Sequence, residues 1–234
     1  MDILGKALLD YQNGKYTRDI TTFSTLEEKG TLPLPYLFRS FDKMPKLERQ
    51  ALKLCSGKVL DIGCGAGSHA LYLQEKGFSV TGLDHSAGAI QVCQQRGLKH
   101  TVQTDFLSYS GEAFDTLLLL MNGIGLAGTL QALPEFLAHC KTLLQPNGQV
   151  LLDSSNLIYM FEQDEDGGYW IPGDIAYYGE VRFQMEYMGK KGLVFDWLYL
   201  DYVTLANYAE AKRFECELIS EGEHYDYLAR LRLP

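Results

Sequence analysis

Residues 58–67 read Lys-Val-Leu-Asp-Ile-Gly-Cys-Gly-Ala-Gly, and this stretch decides the fold. Its apolar residues predict a short strand buried on both faces, and glycines occupy alternate positions directly after it. The strand residues are Val59, Leu60 and Ile62, and the glycines are Gly63, Gly65 and Gly67. A helical pattern begins at Ser68. A strand that runs through a glycine turn into a helix brings bare backbone close to a ligand at the carboxyl edge of a sheet. The stretch therefore predicts a cofactor site.

The composition describes a globular protein of ordinary domain size. The chain has 234 residues, of which 46% are hydrophobic and 22% charged, so we expect a single domain over 1–234 with a full apolar core. The net charge of −9 disfavours nucleic acid and anionic membranes as partners, because both require a positive face.

Cysteine usage and hydropathy narrow the setting. The five cysteines are scattered without a C-x-x-C pair, which is typical of reduced thiols in a cytoplasmic protein and gives no reason to expect a metal site. We also expect neither a signal peptide nor a membrane-spanning helix.

Strands and helices alternate with short connections between residues 57 and 153, the pattern of a parallel α/β sheet. The predicted strands cover 59–62, 79–83, 100–103, 115–121 and 149–153, and the predicted helices cover 68–76, 87–96 and 129–144.

The flanking regions differ from this core. Residues 1–56 predict a helical lid, with one helix ending at Asn13-Gly14, a connector over 21–35 and a second helix over 36–54 that Pro45 interrupts. Residues 154–200 are rich in aromatic side chains and predict an inserted β-hairpin cap. Residues 201–234 predict a last helix and two strands.

The glycine spacing separates two possible cofactors. A dinucleotide site requires G-x-G-x-x-G, but Ser68 stands where its third glycine belongs, so a nicotinamide-dependent oxidoreductase is disfavoured. Asp61 through Gly67 instead read acidic-x-G-x-G-x-G, and here the chain resembles the class I S-adenosylmethionine-dependent methyltransferases. The resemblance covers about residues 57–153. It implies a three-layer α/β/α sandwich whose mostly parallel, seven-stranded sheet has an antiparallel last strand.

Acidic residues end three successive predicted strands, at one edge of the sheet. They are Asp61, Asp84 and Asp105. A carboxylate such as Asp84 can accept two hydrogen bonds from a ribose diol, although an acidic residue at a strand end is common in itself. The resemblance assigns the other parts of the cofactor. It places the glycine loop with Cys64 against the methionine part, His85 beside the adenosine, and Thr104, Asp105 and Phe106 around the adenine. It further places Met121 and Asn122 near the cofactor's ammonium group.

Arg39 is the one cation that we place near the site, where its guanidinium can pair with the cofactor's carboxylate; the alternative is a solvated helix residue. The candidates for catalysis are Asn122, Asp153 and Tyr159. Methyltransferases that act on planar nitrogens often carry an Asn/Asp-Pro-Pro-aromatic tetrad, and Asn122-Gly123-Ile124-Gly125 departs from it.

The sequence therefore predicts methyl transfer from S-adenosylmethionine to a small-molecule acceptor by in-line displacement, with S-adenosylhomocysteine as product. The alternative is a non-catalytic S-adenosylmethionine-binding accessory protein of the same fold. The acceptor atom and the oligomeric state stay open.

Overall fold

The computed structural model describes residues 1–173 and 175–233. The helices are α1 Ile3–Gln12, α2 Leu34–Leu37, α3 Lys46–Leu54, α4 Ser68–Glu75, α5 Ala87–Gln95, α6 Leu133–Thr142 and α7 Tyr202–Ala211. The strands are β1 Ile20–Ser24, β2 Gly30–Leu32, β3 Lys58–Ile62, β4 Ser79–Asp84, β5 His100–Gln103, β6 Phe114–Leu119, β7 Leu144–Ser155, β8 Glu180–Tyr187, β9 Lys190–Leu198, β10 Glu215–Glu221 and β11 Asp226–Arg232.

The main sheet has seven strands in the order β10-β11-β7-β6-β3-β4-β5. Strands β3 to β7 pair in parallel, whereas β11 is antiparallel to both β7 and β10. This confirms the predicted sheet with its antiparallel last strand. The carboxyl ends of β3, β4, β5 and β6 meet at one edge, where parallel α/β folds bind their ligands.

Helices cover both faces of this sheet, and the apolar residues of β6 show why. Alternate side chains of a strand point to opposite faces. Leu117 and Leu119 pack with residues of α6 and α7, whereas Leu118 packs with residues of α3, α4 and α5. A strand that is buried on both faces is typically a nearly continuous apolar run, as Leu117 to Leu119 are here.

A second, four-stranded antiparallel sheet has the order β2-β1-β8-β9. The predicted hairpin is present as β8 and β9, but the prediction of a connector over 21–35 is wrong, because β1 and β2 lie there. Thr22 and Phe23 of β1 pair with Met185 and Gln184 of β8, which lie far away in the sequence. Short strands that depend on so distant a partner have no local signal strong enough to predict them.

The predicted helix over 36–54 is divided. Helix α2 ends at Leu37, a single 3-10 turn spans Phe41–Lys43, and α3 begins directly after Pro45. Proline has no backbone N–H and fixes φ, so it begins helices more readily than it continues them. None of the described helices is both long and apolar enough to cross a bilayer.

Helix α1 docks tightly on the start of α5. The Asp2 carboxylate accepts hydrogen bonds from Gly5 N at 2.8 Å, Ser86 Oγ at 2.8 Å and Gly88 N at 3.1 Å, so one side chain caps both helices. A Cβ atom on Gly88 would lie 2.5 Å from the Gly5 backbone. The two helices therefore touch through backbone atoms.

The Gly88→Ala substitution tests this contact. Alanine in a helix ordinarily stabilises by about 0.5–1 kcal/mol relative to glycine. Here we expect the reverse, a loss of about 1–3 kcal/mol, because the new methyl group meets backbone that cannot rotate away. The midpoint of urea unfolding measures the change. Gly173→Ala is the control, since a Cβ atom there has no neighbour within 4 Å. A Gly88→Ala protein as stable as this control would contradict the contact.

Candidate functional site

The glycine turn leaves an open cradle of backbone at the end of β3. Gly63 N and Cys64 N donate to the Leu83 carbonyl of β4 at 2.8 and 3.0 Å, which fixes the turn to the neighbouring strand. All three glycines have left-handed φ values of 73°, 53° and 79°. A Cβ atom on Gly65 would have no neighbour closer than 4.0 Å, so the space above this residue is free for a ligand.

Asp84 lies directly beside this cradle. Its carboxylate accepts hydrogen bonds from Gly65 N at 3.0 Å and Ser86 N at 2.9 Å. Burial raises the pKa of Asp84, while these two amides oppose the shift. A carboxylate has about four acceptor positions, so it retains capacity for a diol. His85 is exposed, with its Nδ1 3.7 Å from Asp84 Oδ1.

Asp61 and Cys64 are turned into the protein. Asp61 Oδ2 accepts from Ala70 N at 3.2 Å in the first turn of α4, and burial raises the pKa of this carboxyl to about 6. Cys64 Sγ lies 3.7 Å from Cys93 Sγ, and both thiols are buried. Asp61 thus stabilises the turn from the side of the protein interior. Cys64 contributes its backbone to the cradle, while its side chain is buried.

The three residues predicted to surround the adenine differ in their environments within the segment after β5. The exposed Asp105 accepts from Leu107 N at 3.0 Å, and Thr104 N donates to the Asp84 carbonyl at 3.1 Å. The Phe106 ring is buried against α6, 4.9 Å from the ring centre of Phe136. Packing against adenine was predicted for Phe106, but its ring lies in the core, whereas the neighbouring Leu107 is 44% exposed.

The loop after β6 is strained and tightly held. Met121 and Asn122 both have left-handed backbone, with φ of 64° and 57°. Left-handed backbone is uncommon for a residue such as Met121, and it persists where surrounding contacts enforce it. Met121 N and Gly123 N both donate to the Asp153 carboxylate at 3.2 Å.

The Asn122 side-chain amide makes two hydrogen bonds within the protein. Its Nδ2 donates to the Leu198 carbonyl at 3.1 Å, and its Oδ1 accepts from Ser154 Oγ at 2.7 Å. Asn122 therefore connects the loop to β9 and β7, and it also lines the cavity described next.

A cavity of about 260 Å³ opens beside this loop. Its lining consists of Tyr36, Pro45, Leu47, Glu48, Met121, Asn122, Asp153, Ser154, Ser155 and Asp226. Asp153 lies half-buried at the end of β7, and burial raises the pKa of its carboxyl to about 7, with the Glu48 charge adding to the effect. Tyr159, another candidate for catalysis, is placed differently. Its ring stacks on Tyr225 at 4.7 Å, outside the cavity lining described above.

A buried ionic network lies behind the cavity wall. The Arg39 guanidinium pairs with both carboxylate oxygens of Glu48, and Glu48 Oε2 is 2.9 Å from His69 Nε2. Burial opposes ionisation of Glu48, but the hydrogen bond and charge of His69 and the Arg39 ion pair together hold the pKa of Glu48 below its ordinary value. Arg39 is thus buried and paired rather than solvated.

Glu48 and His69 were not singled out in the sequence. His69 does carry a signal, because it is an ionisable residue in the first turn of the helix that follows the glycine loop. Glu48 carries none, since its partners lie nine residues before it and 21 residues after it, on other elements.

Comparison with known proteins agrees with this geometry. Residues 59–148 match the family described as a methyltransferase domain. A ubiquinone biosynthesis O-methyltransferase of Pasteurella multocida is 30% identical over 127 residues, which cover 49% of this chain and 52% of that protein. The chain thus spans about half the length of this relative.

Solved structures cover more of the chain. An amino pentose methyltransferase from Micromonospora echinaspora has a TM-score of 0.59 at 16% identity, covers 86% of this chain and 94% of its own, and shows the shared fold. A methyltransferase from Bacteroides fragilis, crystallised with S-adenosyl-L-homocysteine, has a TM-score of 0.92 at 42% identity and covers 99% of this chain and 94% of its own. At that identity and coverage, the chain belongs to the S-adenosylmethionine-dependent methyltransferases.

Proposed function

We propose that this chain transfers a methyl group from S-adenosylmethionine to a hydroxyl oxygen of a small molecule. The observation that carries the cofactor assignment is the Asp84 carboxylate, which is bonded to Gly65 N within the glycine turn. An acidic acceptor beside exposed backbone fits the ribose diol and methionine part of one ligand. The open space above Gly65 gives that ligand room.

The residues that hold the cofactor follow from this placement. The Asp84 carboxylate accepts hydrogen bonds from the ribose hydroxyls, and the turn at Gly65 lies along the methionine part. Asp105 and Leu107 lie beside the adenine. The bound cofactor supplies a methyl group on a sulfonium, which is already activated for displacement. The protein therefore acts chiefly by positioning the acceptor and excluding water. We propose that residues 1–56 and 154–200 jointly provide the cover that does so.

Asp153 is the base that we propose for the acceptor. Its carboxylate lines the cavity and accepts two hydrogen bonds from backbone amides, which leaves other acceptor positions of the carboxylate free. A hydroxyl must lose its proton as it attacks, and a carboxylate whose pKa lies near neutrality is suited to take it. The name of the Pasteurella relative, an O-methyltransferase, supports an oxygen acceptor. The cavity, at about 260 Å³, lies just below the usual range for ligand pockets of about 300–1,000 Å³, which favours a small molecule.

Calorimetry with S-adenosylhomocysteine tests the cofactor site. We expect the unaltered protein to bind this ligand, and Asp84→Asn to bind it about 10- to 100-fold more weakly, because a neutral amide replaces a charge-assisted acceptor. Asp166→Asn, in an exposed loop, is the matched control and is expected to bind normally. Absence of binding to the unaltered protein at high micromolar ligand would refute the proposed function.

Methyl transfer itself is tested with radiolabelled cofactor and a panel of catechol, 4-hydroxybenzoate and small amines. We expect a hydroxyl acceptor, a kcat that rises with pH through about 7 as Asp153 ionises, and a loss of about 100-fold or more in Asp153→Asn. The affinity for S-adenosylhomocysteine should fall far less in this variant than in Asp84→Asn, because Asp153 acts on the cofactor only through its charge. A flat pH profile would exclude Asp153 as the base, and tight cofactor binding without any transfer would favour the accessory protein.

The same variant should also change how the free energy of unfolding depends on pH. Because the pKa of Asp153 is higher in the folded state than in the unfolded chain, the folded protein binds this proton more tightly, and stability falls as pH rises from about 4 to 7. Asparagine has one acceptor oxygen, so Asp153→Asn also loses one of the two backbone hydrogen bonds at every pH. We therefore expect the change in unfolding free energy caused by Asp153→Asn to be more favourable at pH 8 than at pH 4 by about 1–3 kcal/mol. Urea unfolding at the two pH values measures this, and an equal effect at both would contradict the assignment.

A further inference from the structure

Two tyrosine rings stack on each other beside the proposed active site. The ring centres of Tyr159 and Tyr225 lie 4.7 Å apart, and the two residues remain 48% and 60% exposed. Tyr225 also has left-handed backbone, with φ of 59°. Such backbone is unfavourable for a bulky residue, and residues of this kind cluster at ligand sites. Burial in the core does not explain this pair, which we call the tyrosine stack.

The tyrosine stack adjoins the cavity through the ladder between β7 and β11. Asp226 pairs in register with Ser155, and both residues line the cavity. One step further along, Asn156 N donates to the Tyr225 carbonyl at 2.8 Å. The ladder thus continues from the cavity directly to Tyr225, so a ligand that extends past Ser155 and Asp226 reaches the stack.

Asp226 lies on the same face of the sheet as Asp153. Ser155 follows Asp153 by two positions on β7, and alternate residues of a strand share a face. Asp226 lies opposite Ser155, so it shares that face as well. Two residues of a strand span about 7 Å. A small acceptor whose hydroxyl group is held at Asp153 can therefore reach Asp226 with another of its groups.

The charge of Asp226 has no counterpart within the described part of the chain. Its Oδ1 accepts a hydrogen bond from His224 N at 3.0 Å, which leaves other acceptor positions of the carboxylate free. No described lysine, arginine or histidine side chain forms an ion pair with it. The described residues that line the cavity include none of these three types.

The cofactor does not account for this charge either. Strand β11 is the third strand from β3 in the main sheet, beyond β6 and β7. Neighbouring strands lie about 4.8 Å apart, so β11 is roughly 14 Å from the strand that carries the glycine turn. On the proposed function, the methionine part of the cofactor lies along that turn. The carboxylate of Asp226 is therefore left for the acceptor.

We propose that Asp226 and the tyrosine stack recognise a positively charged group, such as a protonated amine, on the acceptor. A carboxylate and an aromatic ring face both attract cations, the first through its charge and the second through the ring quadrupole. The inference rests on the proposed function and deepens it. The acceptor carries a hydroxyl group that Asp153 deprotonates and a cation that Asp226 and Tyr225 hold. These two residues determine specificity and take no part in the methyl transfer itself.

Three phenols that share a ring and a two-carbon arm but differ in charge test this. They are tyramine, 4-ethylphenol and 4-hydroxyphenylacetate, which are cationic, neutral and anionic at pH 8. Calorimetry on the protein saturated with S-adenosylhomocysteine should show that tyramine binds about 3- to 30-fold more tightly than 4-ethylphenol. The anionic 4-hydroxyphenylacetate should bind most weakly. The preference for tyramine should shrink at high salt, because ions screen exposed charges.

Matched variants assign the preference to these residues. Asp226→Asn should remove most of it and change the affinity for 4-ethylphenol by less than about twofold, because asparagine keeps an oxygen for His224 N. Tyr225→Asn should weaken tyramine binding by about two- to fivefold, and asparagine tolerates left-handed backbone. Tyr225→Phe keeps the ring face and should retain the preference. Glu75→Gln is the control, since it removes an exposed carboxylate at the end of α4, on the opposite edge of the sheet.

Each outcome decides between distinct conclusions. If 4-ethylphenol binds as tightly as tyramine, or if none of the three phenols binds the protein that holds S-adenosylhomocysteine, the inference is overturned and the proposed cofactor site stands. A preference for tyramine that persists unchanged in both Asp226→Asn and Tyr225→Asn would overturn it as well. A protein that does not bind S-adenosylhomocysteine at all would contradict the proposed function and the inference with it.

Discussion

The left-handed turn at the end of β3 is the constraint on which the site depends. Two of its amides are held by the Leu83 carbonyl, so the turn cannot move independently of β4. A Cβ atom on Gly67 would lie 2.9 Å from Cys93 Sγ, so α5 closes the turn from the other side. Because the chain reverses here within a few residues, α4 begins over the sheet edge. Asp61 then lies under the first amides of the helix, and His69 reaches Glu48.

The second sheet is attached to the same edge through side chains. Asn122 donates to the Leu198 carbonyl, and Leu200 N donates to Ser154 Oγ, which in turn donates to Asn122. This chain of bonds joins the loop after β6, the end of β7 and the end of β9. The cover is therefore held in register with the strands that form the site. Helix α1, which belongs to residues 1–56 of the cover, is attached separately by its docking on α5.

The sequence predicted the main sheet and the glycine turn because both depend on local signals, namely apolar runs and the spacing of glycines. It placed Asp84 and Asp153 at strand ends for the same reason. It missed β1 and β2, whose pairing with β8 is non-local, and it missed the link between Glu48 and His69, which only the tertiary fold creates. Phe106 shows a further limit. The strand end was located, but the direction of the side chain depends on α6, which packs beneath it.

The charges of the site fall into two groups with different physical consequences. The charges of Arg39 and Glu48 neutralise each other, so this pair orders the wall without a large excess charge. Within the described residues, Asp61 and Asp153 accept hydrogen bonds from backbone amides alone. Burial raises the pKa of both carboxyls, so their ionised forms are less favourable in the folded chain than in water. On the proposed function, the cofactor brings a sulfonium and an ammonium to this edge, and both cations favour the ionised carboxylates. A ligand that binds only the folded chain stabilises it. The same carboxylates that weaken the protein alone are therefore the groups through which the cofactor is expected to strengthen it.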